Sequence, residues 1–391
     1  MIYRIQAPKT IQTSVKLPAS KSISNRVLIL NTLSNSPFPI ENLSDSDDTQ
    51  VLLKALQSSG TDFDIGAAGT SMRFLTAYLS QCVGNFTITG TERMKKRPIA
   101  ILVDALRQTG AEIEYLENEG FPPLQIHGKT LKGGEIRLNG GVSSQYISAL
   151  MMIAPQMQNG LTLQLEGNII SQPYIRMTAG LMEKFGVQVD WTGNRIRIEP
   201  QSYRPIPFQV ESDWSAASYW FEIQALATSN AKIEWQGLEK NSLQGDAQVE
   251  AIFAALRENK QPVFSCNFIN EPDLAQTLTV TCCLLDKPFR FSGLQSLRIK
   301  ETDRLSALQT ELKKLGYLIH IVSDAELAWN GERCEPEAHP IIATYEDHRM
   351  AMAFAPVCLR RNELQIAHPE VVGKSYPNFW NDLKQAGFQI E

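Results

Sequence analysis

Lys300-Glu301-Thr302-Asp303-Arg304 sets two acids and two bases in five consecutive residues, and Arg298 adds a third base just before them. A helix beginning at Lys300 puts Lys300 and Arg304 four apart on one face with Glu301 beside them. Such a cluster can hold an anion and move a proton. The same composition also suits a surface helix laced with ion pairs.

Further groups of this kind recur along the chain. Ser20-Lys21-Ser22-Ile23-Ser24-Asn25-Arg26 precedes Val27, Leu30 and Leu33 at helical spacing. Ser20 can cap that helix, whose first turn then offers N–H groups, a lysine and hydroxyls to an anion. Gly66-Ala67-Ala68-Gly69-Thr70-Ser71-Met72-Arg73 opens another helix. It lacks both the Walker lysine and the dinucleotide glycine spacing, but it lets backbone N–H groups approach a small anion. Arg93-Met94-Lys95-Lys96-Arg97-Pro98 holds four bases, with Pro98 suited to the first turn of a helix. Ser143-Ser144-Gln145 reads as a cap or as a phosphate or hydroxyl contact. Asp273, ahead of the apolar stretch Leu274 to Leu285, reads as a helix cap or as a base aimed at a substrate hydroxyl. Thr344 and Asp347 have capping-box spacing before His348 and Arg349, and Lys374 adds one more base. Bases at the helix entrances of both halves, with few acids, fit a small and highly anionic ligand.

The elements that must position these groups follow a repeating pattern of apolar helix, glycine and alternating strand. Helices around 51–56, 102–106, 181–185, 308–315 and 379–386 are followed by Gly60, Gly110, Gly186, Gly316 and Gly387. A sixth copy, 252–256, ends at Asn259, which can replace the left-handed glycine. Alternation such as Ala111-Glu112-Ile113-Glu114-Tyr115 supplies the strands. Six α/β units result, and the break at Tyr203-Arg204-Pro205-Ile206-Pro207, ahead of a helix from Trp214 to Ala227 capped by Asp213, divides them three and three near residue 211.

Composition narrows the ligand. The chain has 391 residues, 43% hydrophobic and 20% charged, which is enough for about two domains. Its net charge of −5 argues against nucleic acid, so an anionic ligand must meet a local basic pocket. Six cysteines without CxxC spacing read as reduced core thiols. The five histidines form no ligand pair at helical spacing, so no metal is expected. Met1 to Lys9 carries no apolar signal core and no apolar run approaches a bilayer span, which favours a cytoplasmic location and no membrane partner.

Taken together, Lys-Ser-x-Ser-x-Arg at 21–26, Arg-x-Lys-Glu-Thr-Asp-Arg at 298–304 and Asp-His-Arg-Met-Ala-Met at 347–352 resemble the motifs of the 5-enolpyruvylshikimate-3-phosphate synthases, the 3-phosphoshikimate 1-carboxyvinyltransferases. The likeness runs from Lys21 to Lys374 with the motifs in family order. It implies an α/β enolpyruvyl transferase fold: a two-domain inside-out barrel of six βαβαββ-type repeats. The implied domains are 18–211 and 1–17 plus 212–391, joined by two crossovers. It implies no cofactor, a monomer, and glyphosate competing with phosphoenolpyruvate if Gly69 and Thr70 keep their loop open.

Carried over by position, the resemblance assigns shikimate 3-phosphate to Lys21, Ser22, Arg26, Ser143, Ser144, Gln145, Ser171, Tyr174, Asp273 and Lys300. Phosphoenolpyruvate falls to Lys21, Gly69, Arg97, Gln145, Arg304, Arg349 and Lys374. Asp273 takes the hydroxyl proton, Glu301 handles the proton at C3, and Lys21 bridges both anions and shares the proton work; His348 stands near without an assigned role. Departures from the family are Ala67 and Ser296 where asparagine is usual, and short connections between Asp48 and Gly66 and between Glu258 and Asp273 that read as trimmed hairpins. The competing readings are UDP-N-acetylglucosamine enolpyruvyl transferase, which requires different substrate motifs, and a catalytically silent anion-binding relative, against which Asp273 and Glu301 argue.

Overall fold

The computed structural model describes residues 1–227 and 231–391. Its contacts divide the chain into two compact units, Ala19–Glu211 and Met1–Pro18 with Ser212–Glu391.

Within Ala19–Glu211 two repeats are complete. One runs strand Asp62–Asp64, helix Gly69–Gln81, strand Gly84–Thr89, helix Ala100–Gln108 and hairpin Glu112–Tyr115/Leu124–Gly128. The first two strands pair in parallel, and Leu124–Gly128 inserts antiparallel between Gly84–Thr89 and Glu112–Tyr115. Gly134–Asn139, Ser144–Ile153, Leu161–Glu166, Gln172–Lys184 and the hairpin Asp190–Thr192/Arg195–Ile198 repeat that order. A shorter third repeat pairs Phe208–Gln209 in parallel with Ile40–Glu41 and carries helices Lys21–Leu33 and Asp47–Gln57, with no hairpin.

The other unit has the same plan. Phe264–Asn267, Ala275–Leu284, Phe289–Ser292, Arg304–Lys314 and His320–Ser323/Glu326–Trp329 make one complete repeat. Ile341–Ile342, His348–Phe354, Glu363–Ala367, Phe379–Gln385 and Gln389–Ile390 make another, whose last strand, Ile2–Gln6, comes from the start of the chain. The short repeat pairs Gln12–Lys16 in parallel with Lys232–Gln236 around helices Trp214–Leu226 and Val249–Glu258.

Residue type explains which layer is inside. All ten residues of Ala275–Leu284 are buried, and so is every residue of Ser144–Ile153 except Gln145. A helix apolar all round must sit in the core. Accordingly Lys21–Leu33, Gly69–Gln81 and Ser144–Ile153 pack on one another, as do Trp214–Leu226, Ala275–Leu284 and His348–Phe354 in the other unit. The strands take the outer layer, and Glu112–Tyr115 and Arg195–Ile198 alternate exposed and buried residues. No helix among the described residues is long and apolar enough to cross a membrane.

Helix ends show where the hairpins are missing. Gly110, Gly186, Gly316 and Gly387 have φ of 105°, 85°, 93° and 98°, and each lies between the second helix of a complete repeat and its hairpin. The remaining two signals are corrected by the structure. Gly60 lies beyond a helix that ends at an extended Ser58, and Asn259 has φ −65° and ψ 112° instead of the left-handed conformation. Both follow second helices of the short repeats. There the chain runs on, extended, into the next repeat's first strand and has no need of the reversal that a left-handed residue provides.

Gly186→Ala should therefore lower the stability of its unit by about 1–2 kcal/mol, because the left-handed backbone disfavours a Cβ and the added methyl would lie 2.9 Å from Arg204 Cδ. Gly60→Ala should stay within about 0.5 kcal/mol. Denaturant midpoints of the two variants measure the contrast.

Candidate active site

In Ala19–Glu211 the candidate residues gather at helix N-termini. Ser20 caps Lys21–Leu33, its Oγ accepting from Ile23 N at 3.4 Å. Lys21, the first helical residue, holds its Nζ 3.9 Å from Asp48 Oδ2. Five residues on, the buried Arg26 donates to Ser22 O (2.8 Å), Thr178 Oγ1 (2.7 Å), Ser148 Oγ (3.2 Å) and Tyr174 O (3.4 Å), and it stacks over Phe74. None of those partners is charged. Burial lowers the Arg26 pKa to about 10, which still leaves a buried cation at neutral pH. Arg26 thereby joins Ser22 to the first turn of Gln172–Lys184, which carries Tyr174 and starts from Ser171 at φ 52°.

Gly69 marks a second convergence. A Cβ there would lie 2.5 Å from Arg97 Nη1 and 2.7 Å from Arg73 Nη1, so two guanidiniums meet above a residue without a side chain. Arg73 is anchored to Gly69 O at 2.7 Å. Ser143 caps the next helix, accepting from Gln145 N at 3.3 Å, and Gln145 Nε2 donates to Thr70 Oγ1 at 3.3 Å. Ser71 Oγ donates to Asp48 O at 2.8 Å, tying that carbonyl to the same loop. The basic run 93–97 is divided: Lys95 pairs with Glu92 and Glu117 on the surface, while Arg97 turns toward Gly69. Pro98 is not in the first turn of a helix, because Ile99 is the cap of Ala100–Gln108 and the Pro98 carbonyl accepts from Tyr146 Oη.

The other unit, Met1–Pro18 with Ser212–Glu391, gathers its candidate residues around Asp273. That residue caps no helix: it lies in the 3-10 turn Pro272–Leu274, and its oxygens are taken by cations. Oδ1 accepts from Arg304 Nη1 at 2.9 Å with Lys300 Nζ 3.5 Å away, and Oδ2 accepts from Arg349 Nη2 at 2.9 Å. Burial works to raise the Asp273 pKa, but the Arg349, Lys300 and Arg304 charges outweigh it and hold the carboxyl well below its usual range. Arg304, 1% exposed, also donates to Asp347 Oδ2 (2.7 Å) and Glu301 Oε2 (2.9 Å).

The expected helix through Lys300 does not form. Asp303 Oδ1 accepts from Ser306 N at 3.3 Å, so it caps Arg304–Lys314, and Lys300 to Thr302 stay outside the helix. Lys300 and Arg304 meet through Asp273 and do not share a helix face. The capping box of Thr344 and Asp347 is absent as well: Asp347 itself caps the next helix, accepting from Arg349 N at 2.9 Å. His348 is buried with Nδ1 3.8 Å from Asp347 Oδ1, and Lys374 Nζ donates to Glu346 O at 3.0 Å.

Sequence reasoning missed Asp48, Arg73, Tyr219 and Asp246. Tyr219 Oη accepts from Arg349 Nη1 at 3.3 Å, and Asp246 accepts from Ser215 Oγ. Asp48 reads in sequence as an ordinary first-turn acid, and Arg73 is legible only as part of the glycine loop. Tyr219 and Asp246 carry no local signal, since the helix face and the turn that place them are tertiary features.

Asp246 has its pKa raised to about 6, chiefly by burial and then by the Asp273 charge. It holds its proton more tightly folded than unfolded, so its contribution to stability is complete below the unfolded value near 3.8 and is lost as pH rises through about 6. Asp246→Asn should therefore gain stability relative to the parent between pH 4 and 6, by roughly 2–3 kcal/mol if two pKa units are at stake. Urea unfolding at a series of pH values checks the trend.

Comparison with known proteins places this arrangement. The profile of the EPSP synthase (3-phosphoshikimate 1-carboxyvinyltransferase) family matches residues 5–64 and 56–383. A 3-phosphoshikimate 1-carboxyvinyltransferase from Bacteroides fragilis (strain YCH46) is 55% identical over 407 aligned residues, covering 100% of this chain and 99% of the relative. One from Photobacterium damsela subsp. piscicida is 36% identical, covering 97% and 98%. Among solved structures, EPSP synthase from Acinetobacter baumannii superposes with a TM-score of 0.80 at 20% identity, covering 100% and 99% of the two chains. The enolpyruvyl transferase NikO from Streptomyces tendae gives 0.73 at 15%, covering 100% and 98%. At those identities the structures establish the fold alone, whereas the profile and the close relatives establish more: this chain belongs to the EPSP synthase, or 3-phosphoshikimate 1-carboxyvinyltransferase, family.

Proposed function

We propose that this protein transfers the enolpyruvyl (1-carboxyvinyl) group of phosphoenolpyruvate to the 5-hydroxyl of shikimate 3-phosphate and releases phosphate, in chorismate and aromatic amino-acid biosynthesis. The observation that carries the reading is the Asp273 carboxylate held between Lys300, Arg304 and Arg349, since these four residues serve as base and anion ligands in one cluster.

In this reading shikimate 3-phosphate is held by Lys21, Ser22, Arg26, Ser143, Ser144, Gln145, Ser171, Tyr174, Asp273 and Lys300. Phosphoenolpyruvate is held by Lys21, Gly69, Arg97, Gln145, Arg304, Arg349 and Lys374. The buried charge of Arg26 and the paired guanidiniums at Gly69 support anion binding. The 5-hydroxyl oxygen attacks C2 of phosphoenolpyruvate as its proton passes to Asp273, and C3 receives a proton from Glu301. C3 then returns a proton to Glu301 while the bond from C2 to the phosphate oxygen breaks and the proton held by Asp273 passes to the departing phosphate, which restores both carboxyl groups and leaves the vinyl ether.

Asp273, as paired, is a weak base. An anion arriving at Arg304 and Arg349 competes for the N–H groups that Asp273 now accepts, so substrate binding itself raises the basicity of the carboxylate. The same reading makes the protein a monomeric cytoplasmic enzyme and makes glyphosate a competitor of phosphoenolpyruvate.

Purified protein should release phosphate from shikimate 3-phosphate plus phosphoenolpyruvate without added metal; absence of turnover would sink the reading. Asp273→Asn should lower kcat by at least ~100-fold, the scale of lost acid/base catalysis. Phosphoenolpyruvate should bind this variant at least as tightly as the parent, since Arg304 and Arg349 lose a competing carboxylate. Calorimetric titration beside steady-state kinetics separates the two effects.

A further inference from the structure

Glu311 has no assigned part in binding or proton transfer, yet it is fully buried on helix Arg304–Lys314, seven residues after Arg304 and so on the same side of that helix. Its Oε1 accepts from Tyr345 Oη at 2.6 Å. Its Oε2 accepts from Ala343 N at 3.1 Å and from Lys314 Nζ at 2.7 Å, and Lys314 also donates to Ile341 O at 2.9 Å. At the other end of the same helix Arg304 holds Asp347. One helix thus grips the segment 341–347 at both ends.

Between those grips stand Tyr345 and Glu346, two successive non-glycine residues with φ of 53° and 56°. Such a conformation persists only where the surroundings over-determine it. The turn directs the Glu346 carbonyl to Lys374 Nζ, 3.0 Å away, and delivers the chain to Asp347, the cap of the helix that carries Arg349.

We infer that Glu311 is a positioning residue: by holding the Tyr345–Glu346 turn it aims Lys374 at phosphoenolpyruvate, an inference that rests on the substrate assignment proposed above. Glu311 touches no substrate and acts through the turn, so its loss weakens phosphoenolpyruvate binding and spares the other substrate.

Tyr345→Phe is the mild test, because it deletes one hydroxyl from a side chain at the surface and leaves the Glu311–Lys314 pair in place. KM for phosphoenolpyruvate should rise about five- to ten-fold, while kcat and KM for shikimate 3-phosphate stay within about two-fold. The thermal midpoint should hardly move. In a Lys374→Met background Tyr345→Phe should add nothing to KM for phosphoenolpyruvate. An unchanged KM in the single variant, or the same increase in both backgrounds, overturns the inference. Should the parent protein release no phosphate, the proposed function fails, and the positioning is read without turnover. The reductively 13C-methylated Lys374 resonance, identified by its absence in Lys374→Met, should then shift in Tyr345→Phe. A resonance that does not move overturns the inference by itself.

Discussion

The buried guanidinium of Arg304 is the constraint on which the charged cluster of Ser212–Glu391 depends. It is 1% exposed and meets three carboxylates: Asp347, Glu301 and Asp273. Burial lowers its pKa, but those carboxylates outweigh burial and the net direction is upward. Removing one member of a buried charged set typically costs about 3–5 kcal/mol, against 0–1 for a surface pair. The segments that supply Asp273, Glu301 and Asp347 are therefore fixed to one another through a single side chain, and Arg349 and Lys300 join by sharing Asp273.

Arg26 and the Arg304–Arg349 pair are held by different means. Around Arg304 and Arg349 positive charge is balanced by carboxylate, so an anionic substrate there must displace existing partners. Arg26 instead donates to two hydroxyls and two backbone carbonyls, none of them charged. In the proposed assignment Arg26 meets shikimate 3-phosphate, and the carboxylate-paired Arg304 and Arg349 meet the substrate whose arrival must activate a base. A net charge of −5 is compatible with both, because the basic character is local and buried.

Secondary-structure punctuation was legible wherever the physical reason was local. Ser20, Ser143 and Asp213 cap the helices their positions indicate, since a side-chain oxygen ahead of an apolar-periodic run has few alternatives. Gly110, Gly186, Gly316 and Gly387 adopt the left-handed conformation the pattern requires. Gly60 and Asn259 do not, because that conformation is useful only where the chain turns back into a hairpin, and whether a hairpin follows is a property of the repeat. Capping failed as a guide at Asp273, whose carboxylate meets Lys300, Arg304 and Arg349, and at Thr344, where Asp347 caps the helix while also pairing with Arg304.

The sequence by itself determined the α/β repeats, their number and the identities of the charged residues, because periodicity, capping and motif order are written in neighbouring positions. Only the tertiary structure decided which charges meet. Arg304 reaches Asp273 and Asp347, 31 and 43 positions away, and Arg97 and Arg73 converge over Gly69 because packed helices bring their ends together. Lys300-Glu301-Thr302-Asp303-Arg304 shows both sides: its composition suits an anion-binding, proton-moving cluster or a set of ion pairs. Its division of labour, with Asp303 as cap, Arg304 as buried hub, and Lys300 and Glu301 beside it, follows from burial, which sets the cost of each unpaired charge and which no local pattern encodes.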